Sequence, residues 1–329
     1  MEHYRFYHKE IPDLIEALAE TPPMQRLKDI GMNCGCEYTA FPRFAGLKPY
    51  SRYDHSVGAA LIVYHFSRDI RQSAAALLHD VASPVFAHVV DFMKGDYLKQ
   101  EATEEGTKKI IEDSGEIQEL LRRYGLKTEE VCDYHRYPLA DNDPPKLSAD
   151  RLEYTLGNII NYRILDEDEV FGLYQDLIVH SNEEGEEEIA FQSKEKALSF
   201  GLAALECSRI YTADEDRYAM QILSEILKQA LERKTIDGKD LYVIETEVIG
   251  KMKSDPFCLE KWNELLSFQK TVRSEEKGKE GKQRKIFAKK RYIDPLVRNK
   301  GRLSGLSPIF SENLRGYLEE SQDCWICAE

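Results

Sequence analysis

The chain has no long apolar run, and this absence excludes a helical membrane protein. No run of about eighteen apolar residues occurs in its 329 residues, which is the least that predicts a helix crossing a bilayer. The first residues, Met1-Glu2-His3-Tyr4-Arg5, lack the apolar segment of a secretory signal. We therefore expect a soluble, cytoplasmic protein that has no membrane partner.

The chain lacks both a disulfide framework and an excess of positive charge. The seven cysteines are odd in number and show no framework spacing, which is typical of a protein kept in a reducing compartment. Lys and Arg total 45 against 59 Asp and Glu, so the net charge is −14. Such a balance argues against a protein built to grip a nucleic-acid backbone, and we expect no nucleic-acid partner.

Helical periodicity dominates the sequence, whose 42% hydrophobic content is ample for a sizeable core. Apolar residues recur at helical spacing over 54–70 and 73–81, among other segments. Residues 177–191 predict a β-hairpin with an acidic tip, and 284–297 alternate in a way that suggests a strand pair. We expect a mainly α fold with a small β element.

The C-terminal part differs from the rest in charge. We divide the chain into a helical core over 1–235 and a smaller helical or mixed portion over 236–329. Within the latter, 277–302 carries eleven Lys and Arg against Glu280 and Asp294. This basic segment is either a solvated loop or strand, or an electropositive wall that helps to hold an anionic substrate or partner.

Four residues have the chemistry of a metal ligand set: His55, the adjacent pair His79-Asp80, and Asp150. His79-Asp80 ends the apolar run 74–78, where an ionised carboxylate is costly unless it is paired or binds a cation. Two imidazoles and two carboxylates suit Mn, Fe, Zn, Ni or Co better than an all-oxygen Ca or Mg cage. We predict one divalent ion, whether Mn, Fe, Zn, Ni, Co or Mg, held by these residues.

The order His, His-Asp, Asp on separate helices resembles the HD-domain superfamily of metal-dependent phosphohydrolases. The surrounding segments are similar to those of deoxynucleoside triphosphate triphosphohydrolases, whose pattern includes QRL, FP, RFEHSLG, HDLGHGPFSHxxD and D-K-x-D-Y. The matching segments are Gln25-Arg26-Leu27, Phe41-Pro42, Arg52-Tyr53-Asp54-His55-Ser56-Val57-Gly58, residues 79–91 and residues 150–154. The resemblance is good over about residues 20 to 160, thins towards 230, and implies an HD-domain helical core.

Side chains beside the ligands suit phosphate binding. Arg52 precedes His55 by three residues, Arg151 follows Asp150 directly, and Tyr154 follows four residues later. A guanidinium and a phenol that face a Lewis acid make a site for a phosphoryl group, since the ion polarises an oxygen and lowers the pKa of bound water. These residues therefore predict substrate binding in phosphoester or phosphoanhydride hydrolysis.

His88 and Asp91 are the predicted catalytic pair. At i and i+3 the carboxylate would fix the imidazole tautomer, so that the imidazole donates to a leaving oxygen; the matching histidine of the family does work of this kind. Alternatively, His88 is a structural partner of Asp91. His135 is interpreted as a surface or packing side chain, because extra histidines for a second metal in this interval usually come in pairs.

Some positions depart from the family pattern. Ser83 and Thr103 stand where the family has phosphate-facing histidines, and Asn158 stands where it tends to have an acid that contacts the sugar. The resemblance also implies two specificity candidates, namely Asn33 near the base and Tyr211 against the sugar, although Tyr211 could equally be helical core. Triphosphate and sugar specificity therefore do not transfer directly.

Together these observations predict an HD-type phosphohydrolase that acts on a nucleotide-like phosphate ester or anhydride, with deoxynucleoside triphosphates among the candidate substrates. One alternative is a hydrolase of nucleoside mono- or diphosphates or of an alarmone. Another is a metal-bound nucleotide sensor without turnover. A di-iron oxygenase would need further ligands that we cannot assemble from this sequence. The expected partner is the small phosphate substrate, and a homo-oligomer is left open.

Overall fold

A computed structural model describes residues 6–94, 106–276 and 282–329 and is mainly helical there. Its α-helices are α1 (Asp13–Ala19), α2 (Pro22–Arg26), α3 (Arg52–Ser67), α4 (Ile70–Leu78), α5 (Val89–Lys94), α6 (Thr107–Asp113), α7 (Gly115–Arg123), α8 (Thr128–Val131), α9 (Ala149–Asn161), α10 (Glu167–Tyr174), α11 (Lys194–Tyr211), α12 (Asp214–Glu232), α13 (Glu245–Ser254), α14 (Pro256–Ser267), α15 (Leu303–Leu306) and α16 (Pro308–Glu319). The predicted mainly α fold is confirmed.

Two small sheets complete the fold. Their strands are β1 (Leu177–Ser181), β2 (Glu187–Phe191), β3 (Thr271–Ser274), β4 (Leu296–Val297), β5 (Gly301–Arg302) and β6 (Trp325–Ala328). The first sheet has the order β1-β2-β4-β5, and the second pairs β3 with β6. The predicted hairpin is present as β1 and β2, which are antiparallel with Leu177 opposite Phe191.

The predicted strand pair over 284–297 is wrong for most of its length. Within that range Leu296–Val297 forms β4, and Arg284 makes an isolated bridge to Ile326. The residues between them have no regular secondary structure. Their alternation has another cause, because Ile286 and Ile293 are buried while several basic neighbours remain accessible.

Helix α3 lies at the centre of the core and packs against α4 and α9. Its start is fixed by Ser51, whose hydroxyl accepts from the backbone N–H of Asp54 while the Asp54 carboxylate accepts from the backbone N–H of Ser51. Such a reciprocal cap satisfies two donors that a helix N-terminus otherwise leaves unpaired. It places Arg52 and His55 in the first turn, on the same side of the helix.

Helix α4 runs from Ile70 to Leu78, so the predicted helix over 73–81 has the right length but begins and ends three residues too late. The next residues form tight turns, in which Val81 N–H bonds to Leu78 O and Ser83 N–H bonds to Asp80 O. Asp80 is disfavoured in a helix interior, because its side chain competes for backbone donors and is costly to bury. The turn removes that conflict and directs Asp80 towards other side chains.

None of the helices in the described ranges is both long and apolar enough to span a membrane. All seven cysteines are free thiols. The division of the chain near residue 235 stays a prediction, and residues 277–281 of the basic segment lie outside the described part.

Candidate metal centre

The four predicted ligands converge from three parts of the chain. His55 comes from α3, His79-Asp80 from the turn after α4, and Asp150 from the first turn of α9. The Oδ1 atom of Asp150 lies 3.0 Å from His55 Nε2 and 3.4 Å from His79 Nε2, and Asp80 Oδ2 lies 3.5 Å from His79 Nε2. The candidate ligand atoms of His55, His79 and Asp80 lie within 4.8 Å of one another.

Both imidazoles are oriented by their second ring nitrogen. His55 Nδ1 lies 2.6 Å from Glu153 Oε2, and His79 Nδ1 lies 2.7 Å from the carbonyl oxygen of Ala76. When Nδ1 carries the proton and donates it to an oxygen, Nε2 keeps its lone pair for a metal. Both histidines therefore present Nε2 to the same space.

Glu153 is a buried anchor behind His55, and the sequence motif that contains it assigned it no role. Its carboxylate also accepts hydrogen bonds from the hydroxyls of Tyr50 and Tyr7. A Cβ at Gly58, one turn after His55, would lie 2.5 Å from Glu153 Oε1, so this helix face must stay bare. The i, i+3 spacing of Asp150 and Glu153 was the available signal, since it puts both carboxylates on one side of α9.

The electrostatics of the cluster fit a cation. Burial disfavours a charged His55, yet hydrogen bonds to Asp150 and Glu153 outweigh it and raise the pKa of His55 to about 10. Burial would also favour neutral carboxyls, but Arg52 and the imidazoles hold the pKa of Asp80 well below its usual range, and the imidazoles do the same for Asp150. The site thus stabilises positive charge between two carboxylates. A divalent ion would supply that charge and leave both imidazoles unprotonated at Nε2.

Asp80 is held by two further side chains. Arg52 Nη1 donates to Asp80 Oδ1 at 3.0 Å and to Oδ2 at 2.8 Å, and Ser83 Oγ donates to Oδ1 at 2.7 Å. Each carboxylate oxygen accepts more than one bond, so Oδ2 remains available towards His79. Arg52 therefore positions the predicted metal ligand Asp80. The Ser83 hydroxyl, which stands where the triphosphohydrolase pattern has a histidine, also positions Asp80.

The turn after Asp80 is tied down by Arg26 of the QRL motif. Its Nη2 atom donates to the carbonyl oxygens of Val81 and Ser83, at 3.1 and 2.7 Å, and its Nη1 donates to Val243 O at 3.2 Å. The guanidinium thereby satisfies backbone carbonyls of the turn that follows α4. Arg26 thus links the ligand turn to the segment that leads into α13.

The same turn continues to His88 through strained backbone. Phe86 and Ala87 have φ of 56° and 44°, which side chains other than glycine rarely adopt. The buried carboxylate of Glu245 holds this bend by accepting from Phe86 N–H at 3.2 Å and from Gly31 N–H at 3.0 Å. Such strain persists where surrounding contacts over-determine it, commonly at functional sites.

A cavity of about 630 Å³ opens from the metal centre. Besides the four ligands, it is lined by the predicted catalytic and substrate-binding residues Arg52, His88, Arg151, Tyr154, Asn33 and Tyr211. The Asp91 side chain and Thr103 lie outside the described part of the structure, so the His88–Asp91 pair stays a prediction. Burial raises the pKa of Tyr154 to about 12, against the opposing charge of Arg291.

Arg151 is bound to the loop that precedes α9. Its Nη1 donates to Asp141 Oδ1 at 3.0 Å, its Nε donates to Lys146 O at 2.9 Å, and its Nη2 donates to the backbone and side-chain oxygens of Asn142. These bonds fasten the loop to the cavity wall. The predicted contact of Arg151 with phosphate would therefore use donors that are already engaged.

One face of α9 forms a long side of the cavity. Asp150, Tyr154, Asn158 and Tyr162 follow one another at intervals of four and all line it. At a rise of 1.5 Å per residue the twelve steps from Asp150 to Tyr162 span roughly 18 Å. The cavity therefore has a metal end at Asp150 and a far end at Tyr162, whose hydroxyl lies 3.3 Å from Asn33 Oδ1.

His135 is exposed, as expected of a surface side chain, and it also lines the cavity beside the metal end. Its Nδ1 lies 2.8 Å from Asp141 Oδ2. The Tyr134 ring lies between two imidazoles, with centroids 4.7 Å from His79 and 4.4 Å from His135. No spacing pattern in the sequence signals this arrangement, because a turn and a loop bring Asp141 back to His135.

Part of the basic segment forms the opposite wall. Lys289, Arg291 and Ile293 all line the cavity. The Arg291 guanidinium is half-buried. Among the described residues, none accepts a hydrogen bond from it and none forms an ion pair with it. This location fits the electropositive-wall interpretation for residues 288–293, whereas Arg298 and Lys300 are exposed on the hairpin between β4 and β5.

No protein-family model matches the chain. It is 28% identical over 247 residues to an uncharacterised protein, YdhJ, of Bacillus subtilis (strain 168), covering 74% of this chain and 72% of that protein. It is 28% identical over 157 residues to the metal-dependent phosphohydrolase cns2 of Cordyceps militaris, covering 46% of this chain and 41% of cns2.

Two solved structures share the fold over nearly the whole chain. A phosphohydrolase from Bacteroides thetaiotaomicron VPI-5482 matches with a TM-score of 0.67 and 15% identity, covering 97% of this chain and 96% of that one. A hypothetical protein from Aquifex aeolicus matches with a TM-score of 0.63 and 17% identity, covering 92% and 89%. The fold is therefore one that a known phosphohydrolase also adopts.

Proposed function

We propose that this chain is a metal-dependent phosphohydrolase acting on a nucleotide-like phosphate ester or anhydride. The observation that carries the proposal is the convergence of two imidazole Nε2 atoms and two carboxylates at one end of a cavity. The similarity to cns2 and to the Bacteroides protein, both of them named as phosphohydrolases, supports the same activity. His55, His79, Asp80 and Asp150 would hold a divalent ion, which would polarise a phosphoryl oxygen and lower the pKa of bound water.

The chain's own side chains would bind the phosphate and supply the proton. Arg52 fixes Asp80, and Arg291 and Lys289 provide positive charge on the facing wall. His88, aimed into the cavity by the Phe86–Ala87 bend, is placed to protonate the leaving oxygen. His135, whose tautomer Asp141 fixes, offers a second imidazole on the metal side and can replace one that Ser83 removes.

The rest of the cavity suits a nucleoside. Its volume of about 630 Å³ falls within the range of ordinary ligand sites. Tyr154 and Tyr211 stack edge to face with centroids 6.3 Å apart, and Asn158 Nδ2 donates to the Tyr211 hydroxyl at 2.8 Å. Aromatic faces and amides halfway along α9 would bind the sugar, which leaves the far end for the base.

The number of phosphates follows from where cations lie. Ser83 is engaged with Asp80, which removes one cationic contact of the triphosphohydrolase pattern, whereas Lys289 and Arg291 add two. We infer a moderate preference for the triphosphate, with nucleoside mono- and diphosphates or an alarmone as alternative substrates. A nucleotide sensor without turnover is the second candidate function, and the hydroxyl of Ser83 in place of an imidazole is what favours it.

The test measures metal content and hydrolysis on one sample. Purified protein is analysed for transition metals and assayed against 5′- and 3′-nucleoside mono-, di- and triphosphates, with phosphate and pyrophosphate release both measured. We expect about one divalent ion per chain and turnover of at least one nucleotide series. Tight nucleotide binding with no turnover in any series would favour the sensor. A protein that contains no metal and binds no nucleotide would overturn the proposal.

A further inference from the structure

The far end of the cavity holds an acid that the hydrolytic centre does not use. Asp216, in the first turn of α12, lines the cavity together with Asn33 and Tyr162. Its charge is the largest electrostatic cause, after burial, of the raised pKa of Tyr162. Asp216 therefore lies next to the C-terminal end of the α9 face, roughly 18 Å along the helix from Asp150.

Asp216 lacks a strong hydrogen-bond donor in the described structure, although the charges of Arg217 and Arg43 act on it from a distance. Among the described residues, the hydrogen-bond donor to its carboxylate is the thiol of Cys36, with Sγ 3.7 Å from Oδ2, and a thiol is a weak donor. Its neighbours Asp214 and Glu215 pair instead with Arg217 and Arg43. A carboxylate in such a place is costly unless a ligand donates to it.

The surroundings of Asp216 suit a flat heterocycle. Met32 and Cys34 flank Asn33 in the chain and Met220 follows Asp216 by one turn of α12; all three line the cavity and offer apolar, polarizable surface. Asn33 accepts from the Tyr162 hydroxyl through Oδ1, which leaves its Nδ2 hydrogens to donate. An acceptor next to a donor, between apolar faces, matches a ring that carries an amine beside a ring nitrogen.

A second acceptor lies between this end and the metal. Asn158 is 6% exposed, its Nδ2 donates to Tyr211, and its Oδ1 is buried without a partner in the described structure. Buried polar atoms are seldom left unpaired, so the orphan oxygen indicates a ligand that donates at this point. A sugar hydroxyl would do so if the base continued towards Asp216.

We propose that Asp216 accepts a hydrogen bond from the exocyclic amine of a nucleobase, and that the protein selects amine-bearing nucleotides over their oxo counterparts. The inference rests on the proposed function for the metal end of the cavity. An oxo base would place its carbonyl oxygen against a carboxylate, which loses a bond and adds repulsion. Burial raises the pKa of Asp216 to about 7. The bases are therefore compared above that pH, where the carboxylate accepts from an amine and has no proton to donate to an oxo group.

The experiment compares bases that differ only at that group. Adenosine and inosine phosphates form one pair and cytidine and uridine phosphates another, each at the preferred phosphate number and position. The amine member should exceed the oxo member in kcat/KM by roughly tenfold to a hundredfold in at least one pair. The free nucleosides, titrated by calorimetry, should show a Kd ratio in the same direction.

Asp216→Asn supplies the sharper result. An amide can turn its NH₂ towards an oxo group, so the preference should collapse or invert while metal content stays unchanged. Glu215→Gln is the matched control, because this neighbour pairs with Arg43 outside the cavity lining, and it should keep the wild-type ratio.

The two proposals fail separately. Wild type that hydrolyses or binds both members of each pair equally would overturn the role of Asp216 and leave the phosphohydrolase proposal standing. Metal-loaded protein that hydrolyses no nucleotide would contradict the phosphohydrolase proposal. The ratio of the nucleoside Kd values would still decide the role of Asp216. If Asp216→Asn does not fold, the wild-type ratios alone decide, and absence of any nucleoside binding counts against the inference.

Discussion

His55 and Glu153 are joined across the α3–α9 contact by a distance of 2.6 Å between Nδ1 and Oε2. Glu153 is 1% exposed and is further held by two tyrosine hydroxyls. Through this contact the packing of α3 against α9 also orients the predicted metal ligand His55. An outer carboxylate of this kind fixes the tautomer of the imidazole and increases its basicity.

The first prediction is that Glu153→Gln weakens metal binding by roughly ten- to a hundredfold while the fold is retained. The amide keeps the volume but no longer offers a charged acceptor to His55. Metal titration into chelator-treated protein measures the change. Glu187→Gln, on an exposed residue of β2, is the control. Unchanged metal affinity in Glu153→Gln would show that this contact serves packing alone.

The second prediction concerns proton delivery. His88→Ala should keep its metal and lose hydrolysis by roughly 10²- to 10⁴-fold, because the leaving oxygen loses its proton donor. Steady-state rates and metal analysis of the same preparation give both quantities. His180→Ala, on β1 and outside the cavity lining, should behave as wild type. Turnover within a few-fold of wild type in His88→Ala would assign His88 a structural role.

The third prediction tests the basic wall. Arg291→Ala should raise the Michaelis constant more for a triphosphate than for the matching monophosphate, since a longer phosphate chain carries more charge to that wall. A point variant is preferable to deletion of 277–302, which would remove β4 and β5. Arg298→Ala, exposed beyond the cavity, is the control. Equal effects on both substrates would indicate that the segment does not bind the phosphate chain and is a solvated part of the surface.

The fourth prediction is a pH dependence of stability. Burial, followed by the nearby charge of Glu245, raises the pKa of Glu37 from 4.5 to about 8. Below pH 4.5 the carboxyl is protonated in both states. As the pH rises towards 8 the unfolded chain ionises while the folded protein keeps the proton, so the free energy of unfolding falls across this window.

The glutamine of Glu37→Gln cannot ionise, so the free energy of unfolding of this variant should fall less than that of wild type over the same pH window. Thermal unfolding of wild type and variant at about pH 5 and about pH 8 measures it, and the variant should gain relative stability at the higher pH. Glu312→Gln, on an exposed face of α16, controls for the loss of one negative charge. A stability difference that does not change with pH would contradict the buried position of the Glu37 carboxyl.

The sequence was informative where a chemical conflict or a local rule was visible. His79-Asp80 after an apolar run, with His55 and Asp150 on other helices, predicted a cluster that the structure brings together. The helix predicted over 54–70 is present as α3, although it begins two residues earlier because Ser51 and Asp54 cap it. The hairpin of β1 and β2 followed from alternation and an acidic tip.

Residues whose roles depend on long-range packing could not be predicted in this way. Glu245 acts on Phe86 from 159 residues away, and Arg291 reaches the cavity through irregular backbone that carries no periodic signal. His135 gains its partner Asp141 through a loop. The end of α4 was missed because apolar periodicity continues into Val81, whereas the side-chain chemistry of Asp80 favours a turn.

The central claim is that His55, His79, Asp80 and Asp150 hold one divalent ion. Asp80→Ala would remove a ligand but strand the buried Arg52 guanidinium, so Asp150→Asn is the cleaner variant: its carboxylate faces both imidazoles and is 19% exposed. Elemental analysis of wild type and Asp150→Asn, purified side by side, is the decisive measurement. We predict about one equivalent of a divalent metal in wild type and a small fraction of that in the folded variant. Equal stoichiometric metal in both would contradict the ligand assignment.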